Sequence, residues 1–154
     1  MSEFQGPEAV EKFLGGKGKN SSPLISHIKN YPFCLLLIDE FEKANKEIHN
    51  LFLQILDGGR LTTQNGEILD FSHALIIATS NAGSLEIQQG LKNGLTSQQI
   101  KFQLIDTKLA EIFSPELLNR FDEIIVFEPL TQNQVHEYRD HQKSETDEHQ
   151  CPSR

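Results

Sequence analysis

Hydrophobic positions along this chain fall into two patterns, and each predicts a different kind of element. In Phe33-Cys34-Leu35-Leu36-Leu37-Ile38 six apolar residues follow one another without alternation, as in a strand buried on both faces of a parallel sheet. Ala74-Leu75-Ile76-Ile77-Ala78 repeats that pattern, and Glu123-Ile124-Ile125-Val126-Phe127, closed by Pro129, reads as a third strand. Between the first two stand Ile48, Leu51, Phe52, Ile55 and Leu56, spaced i, i+3, i+4, i+7 and i+8. That spacing predicts a helix with one apolar face. Asn45 sits at its N-cap and Gly58-Gly59 at its end. Two apolar strands joined through a helix make a βαβ unit with a right-handed crossover.

The remaining elements follow from caps and breakers. Ala9, Val10, Phe13 and Leu14 mark a short helix over 7–14, begun by Pro7 and stopped by Gly15-Gly16. Ser22 caps a second helix with Pro23 in its first turn and Leu24, Ile25 and Ile28 on one face. Asn65-Gly66, flanked by Leu61 and by Ile68, Leu69 and Phe71, predicts a hairpin with a type I′ turn. Residues 82–97 read as a connection. Ile100, Leu104, Leu109 and Ile112 mark a helix over about 98–112, and Ser114-Pro115-Glu116 opens a short one ending at Arg120. Thr131 caps a last helix with Val135 and Tyr138, and the polar stretch beyond about 140 is expected to be disordered.

Composition narrows the classes. The 154 residues suffice for one domain with a real core, and 37% of them are hydrophobic. No apolar run approaches the ~20 residues of a membrane span, and the N-terminus lacks a signal peptide's pattern. A net charge of −8 argues against broad binding of nucleic acid or anionic membrane. Cys34 lies in an apolar strand and Cys151 in the polar tail, which suits a reducing cytosol rather than a structural disulfide. A cytoplasmic protein with neither nucleic-acid nor membrane partners is the expectation. His136, His141 and His149 lack ligand spacing on one helical face, so no metal site is expected from them.

The chemistry gathers where the apolar strands stop. The first ends abruptly in Asp39-Glu40 and the second in Thr79-Ser80-Asn81, and the carboxyl edge of an open α/β sheet is where ligands bind. An apolar strand ending in Asp-Glu matches the Walker B pattern, in which the Asp serves Mg²⁺ and the Glu acts on the attacking water. The Gly- and Lys-rich residues 15–22 are not a phosphate cradle. Lys17 and Lys19 follow a helix rather than a strand, and the G-x-x-x-x-G-K-[ST] spacing fails. They read as a solvated loop.

Four ordered blocks carry a resemblance: Leu-Leu-Leu-Ile-Asp-Glu-Phe-Glu-Lys-Ala, Leu-Gln-Ile-Leu-Asp-Gly-Gly-Arg-Leu-Thr, Asp-Phe-Ser-His-Ala-Leu-Ile-Ile-Ala-Thr-Ser-Asn-Ala-Gly-Ser and Phe-Ser-Pro-Glu-Leu-Leu-Asn-Arg-Phe-Asp-Glu-Ile-Ile-Val-Phe. Over roughly residues 1–135 the chain resembles the Clp-type unfoldase ATPases of the AAA+ superfamily, in particular the second ring of the large disaggregating chaperones. The resemblance implies a three-layer α/β/α P-loop NTPase domain with parallel strands. It implies ATP and Mg²⁺ as cofactors, and other AAA+ subunits in a hexameric ring, protein substrates and a protease as partners. By the same resemblance Asp39 holds Mg²⁺ through water, and Glu40 polarises the water attacking the γ-phosphate. Asn81 is the sensor-1 amide near both water and phosphate, and Arg120 is the arginine finger offered to the neighbouring subunit's nucleotide. Without those blocks, Glu40 reads as an exposed strand-end acid, Asn81 as a turn cap and Arg120 as a solvated helix end. Arg60 reads as an interface or loop residue.

The chain also departs from the family pattern. It contains no Walker A motif, and the P-loop strand of the family, which is its central one, has no counterpart. Strand 74–78 is therefore expected to keep an unpaired apolar edge. The stretch where the family's aromatic pore loop falls, 15–22, has no aromatic residue, and the helical lid with its sensor-2 Arg has no match after Thr131. The expected organisation is a partial AAA+ core over 1–130, then the start of a lid helix and a polar tail over 131–154. Two functions fit. One is an ATPase-core fragment of a protein unfoldase, inactive in hydrolysis as an isolated chain. The other is a non-catalytic subunit that docks on intact rings. A metal-dependent phosphoesterase built on Asp39 and Glu40 lacks a second ligand cluster.

Overall fold

A computed structural model describes residues 5–6, 8–15, 22–63 and 65–130. Its elements are, in order, α1 (Ala9–Leu14), α2 (Pro23–Asn30), β1 (Leu35–Ile38), α3 (Lys46–Gly58), β2 (Arg60–Thr62), β3 (Ile68–Asp70), β4 (Leu75–Ala78), α4 (Ser84–Lys92), α5 (Ser97–Leu104), α6 (Ala110–Ile112) and α7 (Pro115–Leu118). The strands β1 and β4 pair in parallel, Leu35 opposite Leu75 through Ile38 opposite Ala78. That is the predicted βαβ pairing, with α3 and the antiparallel hairpin β2–β3 in the crossover. The caps are as the sequence indicates. Ser22 accepts from the Ile25 amide, Asn45 from the Ile48 amide and Ser114 from the Leu117 amide. The helix expected at 7–14 is present as α1, with Pro7 outside the described residues.

The core lies between one face of the sheet and the helices. Ile48, Phe52 and Ile55 of α3 are buried with Phe13, Ile25, Leu61, Leu69, Ile100 and Leu117, while Ile38 and its neighbours Leu36, Ile76 and Ala78 close it from the sheet side. Aromatic rings link the pieces: Phe41 meets Phe52 edge-on with centroids 5.2 Å apart and stacks on Phe113 at 5.4 Å.

Four sequence expectations are corrected. The strand β1 is not buried on both faces: Leu35 and Leu37 are exposed, as are Leu75 and Ile77 beside them. Among the described residues the helices cover only the face carrying Leu36, Ile38, Ile76 and Ala78, so the uninterrupted run is bare on alternate positions. Residues 123–127 form no ladder, because among the described residues no strand lies beside them to accept their hydrogen bonds. They keep a period of two all the same: Ile124 and Val126 pack on the core, Ile125 and Phe127 face outward. The stretch 82–97 is not a plain connection but carries α4, which Gly90 seats against α5; a Cβ there would stand 2.7 Å from Cγ1 of Ile100. Asn65-Gly66 makes a hairpin, but not through a type I′ turn, which needs φ > 0 at both central residues. Among the described residues Glu40 is the only non-glycine with positive φ, whereas Gly66 has φ 80°. The Gly66 amide donates to Thr63 O and the Thr63 amide to Glu67 O, the bonding of a three-residue loop with glycine in the left-handed position.

The helix expected over 98–112 is continuous but not uniform. Ile105–Leu109 wind as a π-turn between α5 and α6. The interval from Leu104 to Leu109 is too long for one α-helical turn, and the wider winding returns Leu109 to the core side. Thr131 and everything after it, and Lys17 and Lys19, lie outside the described residues.

Candidate functional site at the carboxyl edge of the parallel strands

Because β1 and β4 run parallel in register, their polar ends emerge side by side. Thr79 ties them together. Its hydroxyl donates to Oδ1 of Asp39 at 2.6 Å and accepts from the Glu40 amide at 3.2 Å. Its amide donates to Ile38 O at 2.8 Å, and its carbonyl accepts from the Phe41 amide at 2.9 Å. Four bonds from one residue thus fix the backbone that presents the acid pair. Asn81 follows on the same edge; its amide donates to Oε1 of Glu42 at 3.2 Å, and its carbonyl accepts from the Ser84 hydroxyl at 2.6 Å.

Glu40 stands in the left-handed region, φ 54° and ψ 50°, before a 3₁₀ turn at Phe41–Lys43. A side chain there costs about 1–2 kcal/mol relative to glycine. The next residue holds it in place: Phe41 is buried, its amide is bound by Thr79, and its carbonyl lies 3.0 Å from Nε2 of the buried His49. The Glu40 carboxylate accepts from Nζ of Lys43 at 2.6 Å. That bond, added to by the charges of Glu40, Glu42 and Asp39 and opposed by burial, holds the Lys43 ammonium above its ordinary range. Oε2 of Glu42 is buried with no hydrogen-bond partner.

Asp39, Glu40 and Asn81 therefore converge on one edge. Arg120 follows α7 elsewhere and is exposed, its Nε 2.6 Å from Oδ1 of Asp57 at the end of α3. Arg60 begins β2 opposite Asp70, away from the acid pair in the topology. Sequence reasoning missed Thr79, Glu42 and Lys43. The parallel register was the available signal for Thr79, since the residue after Ala78 must stand beside the one after Ile38.

The site fits one half of a magnesium–nucleotide complex. Mg²⁺ in phosphate-transfer sites keeps several waters and takes one or two carboxylates besides phosphate oxygens, and Asp39 is an exposed carboxylate of that kind. No group of three or more His, Cys, Asp or Glu among the described residues is arranged to hold a metal without such help. The phosphate half does not fit, because no G-x-x-x-x-G-K-[ST] occurs in the 154 residues.

The family model described as AAA domain (Cdc48 subfamily) matches residues 1–124. The chain belongs to this family. Relatives of the AAA domain include the chaperone protein ClpB of Bacillus cereus, 37% identical over 140 residues, covering 88% of this chain and 16% of that protein. The Clp protease ATP-binding subunit ClpA homolog of Porphyra purpurea is 39% identical over 151 residues, covering 89% of this chain and 18% of that protein. A solved structure of the S. cerevisiae Hsp104:casein complex in its extended conformation superposes with a TM-score of 0.79 at 30% identity, over 93% of this chain and 25% of that one. The chain is thus of the Clp chaperone type with a partial α/β P-loop NTPase fold. It spans 16–18% of the length of these curated relatives. Among its described residues no helix is long and apolar enough to cross a membrane.

Proposed function

We propose that this AAA domain supplies the water-activating edge of a Clp-type protein unfoldase ATPase and does not hydrolyse ATP alone. The observation that carries the reading is the Thr79 clamp, which holds Asp39 and Glu40 beside the strand end that bears Asn81. On this reading Asp39 holds Mg²⁺ through water, Glu40 is the general base, and Asn81 orients the water against a phosphate oxygen. Magnesium, when bound, offsets the charge developing on the transferred phosphoryl group. The Lys43 ammonium, bonded to the Glu40 carboxylate at 2.6 Å, is the partner that the carboxylate exchanges for the attacking water. The test is a chimera in which this chain replaces the homologous block of an intact ClpB-type second ring. The chimera is expected to hydrolyse ATP, and Glu40→Gln to lower the rate at least ~100-fold while ATP stays bound. A chimera that binds ATP and turns over equally with and without Glu40 overturns the assignment. The isolated chain is expected to show no saturable ATP binding at micromolar concentration by calorimetry, since the backbone cradle that holds phosphates is absent from its sequence.

The exposure of Arg120 favours a second reading, a non-catalytic subunit that docks on intact rings of AAA+ subunits and offers this guanidinium to a neighbour's nucleotide. Arg120 is held at the surface by a single exposed carboxylate, Asp57, and is free to exchange it for phosphate. Added to intact rings, the chain is expected to change their ATPase rate and Arg120→Ala to abolish the change. An unchanged rate removes this reading.

A further inference from the structure

We propose that Glu42 is a positioning residue for Asn81: its carboxylate pins the backbone beyond β4 so that the Asn81 carboxamide stands against the water on which Glu40 acts. This role rests on the nucleotide reading above. It starts from one bond: Oε1 of Glu42 accepts from the Asn81 amide at 3.2 Å, within the ordinary range for an N–H donor. Thr79 locks the acid pair, through its bonds to Ile38, Asp39, Glu40 and Phe41. Asn81 lies two residues beyond Thr79, and Glu42 carries the link on to it from the turn after β1. The two links run side by side between segments about 40 residues apart in the chain, Asp39 with Thr79 and Glu42 with Asn81.

The bonding of Glu42 separates this role from the two that an acid beside a magnesium site would otherwise take. Magnesium keeps several waters in its shell, and a general base must reach the proton it takes. Neither suits Glu42. Its Oε2 is buried with no hydrogen-bond partner among the described residues, and its Oε1 is committed to the Asn81 amide. Buried polar atoms are nearly always bonded, so a carboxylate kept with one oxygen orphaned is placed for what the other oxygen holds. Asn81 is held from both sides. Its amide goes to Glu42, and its carbonyl accepts from the Ser84 hydroxyl at 2.6 Å and the Ser84 amide at 3.3 Å. With both backbone groups taken, the side-chain carboxamide of this exposed residue is what it has left to offer a ligand. Glu40 and Glu42 flank Phe41, which is buried and bound by Thr79 and His49. The carboxylate that acts on water and the one that pins Asn81 therefore stand on either side of one anchored residue.

The test has two arms. In the full chain, followed by NMR, the Asn81 amide is expected to exchange its hydrogen at least ~10-fold faster in Glu42→Ala, while the Thr79 and Phe41 amides keep their rates and show that the fold is intact. Unchanged protection at Asn81 overturns the inference and leaves the reading of Asn81 itself standing. In the ClpB-type second-ring chimera, Glu42→Ala is expected to lower kcat about 10–100-fold with KM for ATP unchanged, the scale of a ~1 Å misplacement among reacting groups. Glu42→Gln keeps an acceptor of the same reach and is expected to restore most of that rate. Asn81→Ala is expected to lower kcat at least as far, and Glu42→Ala added to it to change nothing more, because a residue that acts through another loses its effect once the other is gone. Additive losses overturn the positioning role, as does a Glu42→Ala defect seen in KM alone. A chimera indifferent to Asn81→Ala overturns the nucleotide reading, and the inference falls with it whatever the exchange rates show.

Discussion

At the scale of single residues, the acid edge shows stability given up for placement. Glu40 occupies a left-handed backbone that glycine would take without strain. Glu40→Gly is therefore expected to raise stability by about 0.5–1 kcal/mol in urea unfolding, less whatever the exposed Lys43 pair contributes. A loss of stability would mean that the backbone is not strained. Thr79 runs the other way. Thr79→Val removes the bonds to Asp39 and the Glu40 amide and is expected to cost about 1 kcal/mol, with Thr79→Ser restoring most of it. Lys101 pairs with Glu123 and holds the Glu123 carboxyl below its ordinary value of 4.5, by a hydrogen bond first and charge second. The sign follows from a depressed folded-state pKa. The pair's contribution is complete above 4.5 and disappears as pH falls through the lower folded value. The difference in urea midpoint between the parent and Lys101→Met is thus expected to be constant above about pH 4.5 and to shrink as pH falls below it; a difference that does not shrink contradicts it.

At the scale of elements, the sequence was legible where apolar spacing and caps agreed. The helix α3, with Asn45 before it and Gly59 after it, follows its pattern, and so does the parallel pairing of two apolar runs. Asp39, Glu40 and Asn81 could be placed on one edge because that placement needs only strand direction. What stayed hidden depended on tertiary partners. The helix α4 carries Gly90 and three glutamine or lysine side chains, so its periodicity is weak, and its reason to exist is contact with α5. Gly90→Ala is expected to destabilise by about 1–3 kcal/mol in thermal melts, because the added methyl must displace Ile100. Gly94→Ala, with no atom within 4 Å of its Cβ but φ 76°, is expected to cost only about 1 kcal/mol. The exposure of alternate residues in β1 was also illegible: an unbroken apolar run says that both faces want cover, not that cover is present. The segment 123–128, tied to α5 by Lys101–Glu123 and Ser97–Glu128, likewise has strand character without a strand's partner.

At the scale of the whole molecule, among the described residues one helical layer packs on one face of two parallel strands and leaves Leu35, Leu37, Leu75 and Ile77 exposed on the other. The same architecture has a kinetic side. Asp39 and Thr79 are 40 residues apart, as are the paired positions of β1 and β4. On a ribosome adding about 5–20 residues per second, the first strand is made several seconds before its mate exists. Through that interval Leu35–Ile38 lacks the strand it pairs with in the folded state, so an apolar run waits unpaired while the crossover is being made.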